Sequence, residues 1–274
     1  IGNSLNALFV AHDNADRVLA EGGAAGFETS LRTGLDLFLG ARVERQLMPG
    51  LPIAALAFVC PALAALILVW RAEARRGVAA LVRRSIAPVR PVVWLLPVLL
   101  IMPAVMLASF EIQQLMGQRL PVPDLSLITG LTYCLLFFVA ALGEELGWSA
   151  YATDPLVARF GPLGAGLVLG LVCALYHYIP LAQAHRSITW IACWSIGTVA
   201  TRVIIVWLYT RTGASVMAAT LFHMTINVTW QMFPIQGSFY DPRVTGPLSA
   251  LAAMALIAAG RWWPARGALF IRPD

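Results

Sequence analysis

Glu144 and Glu145 stand side by side in Gly143-Glu-Glu-Leu-Gly-Trp148, directly after a run, residues 127–142, that holds no ionisable side chain except Tyr133 and Cys134. A charge carried to that depth in a bilayer costs about 2.5 kcal/mol or more, so intramembrane acids usually mark function. Three further polar groups sit in similar apolar settings. His177 lies near the end of one run, and His223 and Asn227, spaced i, i+4, project from one face of another. Taken singly, each has a plain structural role, since a carboxylate pair can clamp helices and a membrane His or Asn can hydrogen-bond its neighbour. Two acids, two imidazoles and one carboxamide together are harder to assign to packing, because every buried polar group needs a partner. Proton transfer is the chemistry such a set supports, as a relay or as acid–base catalysis.

The elements that must position these groups follow from composition. With 59% hydrophobic and 12% charged residues, the chain departs from soluble domains, which are roughly 25% charged. It reads as an all-α, polytopic transmembrane bundle. The 274 residues accommodate about seven or eight helices of about 20 residues around one polar cavity. Residues 1–50, mixed in charge, are expected to be extramembrane or interfacial, 51–260 to form the transmembrane domain, and 261–274 to form a basic tail. The start at Ile1 rather than Met is consistent with a missing upstream piece. Spans are predicted over 51–70, 92–110, 125–152, 162–182, 188–209, 214–233 and 244–260, with a turn at Thr153-Asp154-Pro155. Alternation then puts the Arg-rich stretch 71–90, Arg159, Arg211 and the tail on one side. The positive-inside rule makes that side cytoplasmic, with the protein integral to a bacterial inner membrane.

Counted from the inner ends of their helices, Glu144, His223, Asn227 and His177 lie at depths of roughly 15 to 23 Å, so they share a layer. All 19 basic residues are arginine, which excludes lysine chemistry. Their placement in loops reads as topology and lipid contact, not as nucleic-acid binding. The four cysteines lie in apolar runs without CxxC spacing, which argues against disulfides or a zinc–thiolate site.

Three segments carry a resemblance: Glu144-Glu145-Leu-Gly-Trp148, Cys173-Ala-Leu-Tyr-His177 with Pro180 following, and His223-Met-Thr-Ile-Asn227. In this order, on separate apolar runs, they resemble the motifs of the CAAX-protease and bacteriocin-processing (CPBP, or ABI) family, which includes the type II CAAX prenyl endopeptidases. The resemblance covers about residues 50–235. It implies an α-helical intramembrane endopeptidase acting on a membrane-embedded or lipid-tethered peptide. Glu144 would be the general base for water, His177 would hold that water, and His223 and Asn227 would steady the oxyanion. The same resemblance leaves open a zinc ion on Glu144, His177 and His223. Because the chain has no HExxH signature, the metal-free, cofactor-free reading is favoured. The family's first motif is EExxxR, and this chain has Ser149 where the arginine belongs. Arg202, roughly 13 Å deep in the fifth span by helical rise, is expected to supply the counter-charge for Glu145, with Trp148 supporting the motif. The alternatives are a non-catalytic relative serving as adaptor or immunity factor, and a small proton-coupled transporter. No internal repeat or pair of broken helices favours transport.

Overall fold

In a bilayer every backbone N–H and C=O must be satisfied within its own segment or by a buried neighbour, so apolar runs of this length fold as helices. The computed structural model describes residues 53–123, 126–184 and 186–261. The expected N-terminal segment 1–50 and the residues of the tail beyond 261 lie outside them. In chain order the helices are α1 (Ile53–Ser85), α2 (Leu95–Leu115, entered through a short 3₁₀ turn Val92–Trp94), α3 (Leu127–Gly147), α4 (Thr153–Tyr176), α5 (Tyr178–Gln183), α6 (Ile188–Arg211), α7 (Val216–Gln231) and α8 (Pro242–Arg261). A π-helical turn, Trp148–Ala152, joins α3 to α4.

Each predicted span overlaps these helices, the third running from α3 through the π-helical turn and the fourth, 162–182, divided between α4 and α5, and the architecture is a helical membrane bundle. Four stretches, Val92–Leu115, Leu127–Tyr176, Ile188–Arg211 and Pro242–Gly260, are long and apolar enough to cross a membrane. Their outer faces suit lipid. Leu131, Leu135 and Val139 on α3, and Leu167, Leu171 and Leu175 on α4, form exposed stripes at i, i+4, i+8. Helix α6 is central, with α4 and α8 packed along it, while α3 bridges α1 and α7, and α2 lies against α7. Because lipid offers tails as apolar as leucine, helix association here depends on close fit. A Cβ at Gly166 would come within 2.9 Å of the Val203 Cα, and one at Gly170 within 2.8 Å of the Val199 Cα. Those two glycines let the α4 backbone rest on that of α6. Local capping sets two helix starts, with Ser187 accepting from the Trp190 amide and Ser215 from the Ala218 amide.

Two expectations are corrected. The Arg-rich stretch is not a loop, because α1 continues through it to Ser85 and changes direction at Ala74 (φ 51°, ψ −143°). Arg71–Arg84 is rich in Ala, Arg, Leu and Val and holds no proline, so the helix resumes after the bend. Nor does the chain turn at Thr153-Asp154-Pro155. Pro155 falls in the first turn of α4, where its missing N–H costs nothing. The break comes at Gly161 (φ 70°, ψ 171°), just before Pro162, a residue that disfavours helical geometry in its predecessor. The Trp148 and Tyr176 rings meet at 6.0 Å with Gly161 near the midpoint between them, so the long apolar stretch runs out and back as a hairpin.

Candidate active site

The hairpin returns the end of α4 to the end of α3, where the two glutamates lie. Glu145 is fully buried, and its carboxylate is the hub of the site. Arg202 Nη1, from α6, donates to both oxygens at 2.8 and 2.9 Å. His223 Nδ1, from α7, lies 2.8 Å from Oε1, and the Ser149 hydroxyl donates to Oε2. The Arg202 side chain is only 6% exposed. A pair this deep is justified by the hydrogen bonds that fill the carboxylate's remaining lone pairs. Ser149 reaches Glu145 across one helical turn. It sits in the π-helical turn, whose widened backbone is partly satisfied by the Thr153 hydroxyl donating to Trp148 O at 2.8 Å. Such π-turns recur at functional sites. The depth of α3 is fixed by Gly147, where a Cβ would lie 2.6 Å from the Pro61 carbonyl oxygen of α1.

Glu144 is also buried, but it makes no hydrogen bond among the described residues. It acts electrostatically on Arg202, His223 and Cys173, so it belongs to the same neighbourhood with its oxygens uncommitted. His177 closes α4. Its Nδ1 lies 2.7 Å from the Cys173 carbonyl, which can only accept, so Nδ1 carries the hydrogen and Nε2 is the lone-pair nitrogen of the neutral ring. The Tyr176 and Trp194 rings flank it, at 5.7 and 5.3 Å between centroids. Asn227 lies one turn beyond His223 on α7, half-buried. Trp148 meets Tyr176 edge-on, and its buried Nε1–H has no acceptor among the described residues.

The structure therefore gathers Glu145, Ser149, Arg202 and His223 into direct contact, with Glu144 beside them. It carries His177 and Asn227 on the adjoining helix ends without a direct bond to the hub. The guanidinium absent from position 149 arrives from another helix. Sequence reasoning quoted Cys173 at the head of the second motif segment without giving it a role, and its carbonyl fixes the His177 tautomer. It missed Trp194, which walls the ring and had no sequence signal beyond apolar placement. Among the described residues no three His, Cys, Asp or Glu side chains converge to hold a metal ion. The Nδ1 of His177 and of His223 is engaged, by the Cys173 carbonyl and by Glu145, which leaves Nε2 of each ring as the nitrogen open to a further partner.

Known proteins match this part of the chain. Residues 126–229 match the family model described as type II CAAX prenyl endopeptidase Rce1-like, a range that runs from just before α3 to two residues short of the end of α7 and holds the whole site. The chain is also similar to CAAX prenyl protease 2 of Methanococcus maripaludis, at 28% identity over 133 residues, which is 44% of this chain and 48% of that protein. The match thus spans about half the length of the curated relative. These residues lie in a helical membrane bundle, and its part from residue 126 to residue 229 is similar to type II CAAX prenyl endopeptidases.

Proposed function

We propose that this protein is an intramembrane endopeptidase that hydrolyses a peptide bond with a water activated by Glu144. The observation that carries the reading is the unequal state of two adjacent carboxylates. Glu145 is filled by Arg202, His223 and Ser149, while Glu144 keeps its oxygens free in the same layer. A general base needs such freedom.

Glu144 takes one proton from the water, whose oxygen attacks the carbonyl carbon. The His177 Nε2 lone pair accepts the water's second hydrogen and sets its direction. As the carbonyl becomes an oxyanion, the Asn227 amide and His223 Nε2–H donate to it. The His223 donation requires a doubly protonated ring, whose Nδ1–H is held by Glu145. In that state two carboxylates face two cations, and the cluster is neutral. Donors fixed in a low-dielectric site act most strongly where charge develops. Glu144 then returns its proton to the departing amine as the C–N bond breaks, leaving a carboxylic acid and an amine, and the remaining water proton passes from the acid to the amine to give a carboxylate and an ammonium.

The names of the matching family and of the similar protein, CAAX prenyl endopeptidase and CAAX prenyl protease 2, support a substrate that is a lipid-tethered or membrane-embedded peptide. The membrane is a bacterial inner membrane with the Arg-bearing end of the bundle in the cytoplasm. Reconstituted protein should cleave a farnesylated CAAX peptide. Glu144→Gln should lower the rate at least about 100-fold, and His223→Ala should lower it about as much. Equal product from wild type and both variants would remove the peptidase reading.

A further inference from the structure

We propose that the Arg-bearing end of α1 binds one anionic phospholipid. After the bend at Ala74 the helix has two unlike faces. One packs into the bundle through Leu81 and Ser85, both buried, and is locked there by Arg84, which donates to Asp154 at 2.7 Å. Gly77 sits against Val69 and Glu73 so closely that a Cβ would lie within 2.8 Å of either side chain, which holds the resumed helix against the end of the first segment.

An adjoining face carries a groove of about 440 Å³. It is lined by Val78, Ala79, Val82 and Ile86, by Trp70, and by Arg75 and Arg83. Val82, Ile86 and Trp70 are 43%, 59% and 54% exposed, an apolar surface that water does not favour but an acyl chain does. Trp at the end of a span is typical of the headgroup boundary. Arg75, Ala79 and Arg83 follow one another at i, i+4, i+8 on a single ridge. The guanidinium stems thus rise about 12 Å apart along the axis, over a gap that alanine leaves empty. Both arginines can lean over that gap toward one phosphodiester, their stems lying on the apolar lining. Neither has an acidic partner among the described residues, in contrast to Arg84. Two unneutralised cations beside an apolar trough match a net-negative headgroup with an attached tail. A zwitterionic lipid would bring a competing ammonium, and free phosphate would leave the trough open to water.

The test is lipid retention by the purified, delipidated full chain in detergent, read by native mass spectrometry after adding phosphatidylglycerol or phosphatidylcholine with identical acyl chains. Wild type should retain phosphatidylglycerol at least tenfold more than phosphatidylcholine. Arg75→Gln/Arg83→Gln should lose that preference, and Arg75→Lys/Arg83→Lys should keep most of it. Ala79→Trp, which fills the trough without altering charge, should weaken retention, whereas Arg76→Gln, off the groove, should not. Thermal unfolding of each variant checks that it is folded. Equal retention of the two lipids by wild type, or undiminished phosphatidylglycerol on the Gln pair, would overturn the site. So would displacement by glycerol phosphate alone, which marks a headgroup-only patch, or one-for-one displacement by a prenylated peptide, which assigns the groove to substrate. The readout needs no hydrolysis, so it stands or falls apart from the peptidase reading.

Discussion

Removing the Arg202 guanidinium would leave Glu145 fully buried with only a hydroxyl and an imidazole for company. Breaking a buried pair from one side costs about 3–5 kcal/mol, so Arg202→Ala should unfold at markedly lower temperature in detergent. The Ser149 position offers a specific rescue. Its hydroxyl already contacts the same carboxylate from one turn away, so an arginine there can reach Glu145 through the space Arg202 vacates. Arg202→Ala/Ser149→Arg should recover most of the lost thermal stability, and Ser149→Arg alone, which crowds a second guanidinium into a filled site, should not improve on wild type. If the double variant melts with the single Arg202→Ala, the two positions do not serve one carboxylate. The same logic separates the glutamates, since Glu145→Gln should lose stability and activity together while Glu144→Gln should lose activity alone.

At the scale of helices, α8 begins with a local device outside the membrane-spanning core. Asp241 accepts the Arg243 amide at 2.9 Å and its side chain at 2.7 to 3.0 Å. Burial alone would push the Asp241 carboxyl up, but these hydrogen bonds and the Arg243 charge override it and hold the carboxyl below its ordinary value. A carboxylate depressed on folding contributes stability that is present above its unfolded value, about pH 3.9, and is lost as pH falls through the folded value. Thermal unfolding of wild type should therefore drop between pH 5 and pH 3 more steeply than that of Asp241→Asn. Asp241→Ala should lose the cap at neutral pH, about 1 kcal/mol. Identical pH profiles for wild type and Asp241→Asn would mean that the charge adds nothing.

The helices were legible in the sequence because apolar length alone forces them in lipid, and the glutamates and His223 stood out there as polar groups in apolar runs, of which the fold brings Glu145 and His223 into contact. The breaks were less legible. Asp154-Pro155 has the residues of a turn, yet a proline in a first helical turn is compatible with continuing, and Asp154 is used by Arg84 and by the Tyr209 hydroxyl at 2.6 Å. Gly161-Pro162 was the stronger signal. Arg71 to Arg84 looked like a loop because charge suggested solvent, though nothing in it stops a helix. The link between Arg202 and Glu145 could be anticipated only from an unpaired acid and a lone membrane cation, and the i, i+4 spacing of Gly166 and Gly170, a mark of close helix approach, went unread although it brings α4 onto α6.

Over the whole molecule, contacts far apart in sequence fix which helix ends lie together. Arg84 of α1 and Tyr209 of α6 both bond Asp154 of α4, and Arg211 of α6 donates to the Gly260 carbonyl of α8 at 2.9 Å. These bonds gather the Arg-bearing ends of α1, α4 and α6 with the end of α8 at one pole of the bundle. The loop after α2, including Gln118, lies a full helix length away from the α1 pole. Positive charge is retained on the cytoplasmic side during insertion, so the pole should face inward. In a background with the four native cysteines replaced, Gln118→Cys should react with a membrane-impermeant maleimide on intact spheroplasts, while Arg76→Cys should react only after permeabilisation. The reverse pattern would invert the bundle and place the phospholipid groove in the outer leaflet. It would leave the Glu145 cluster and its chemistry unchanged, because that site is set by helix packing and not by orientation.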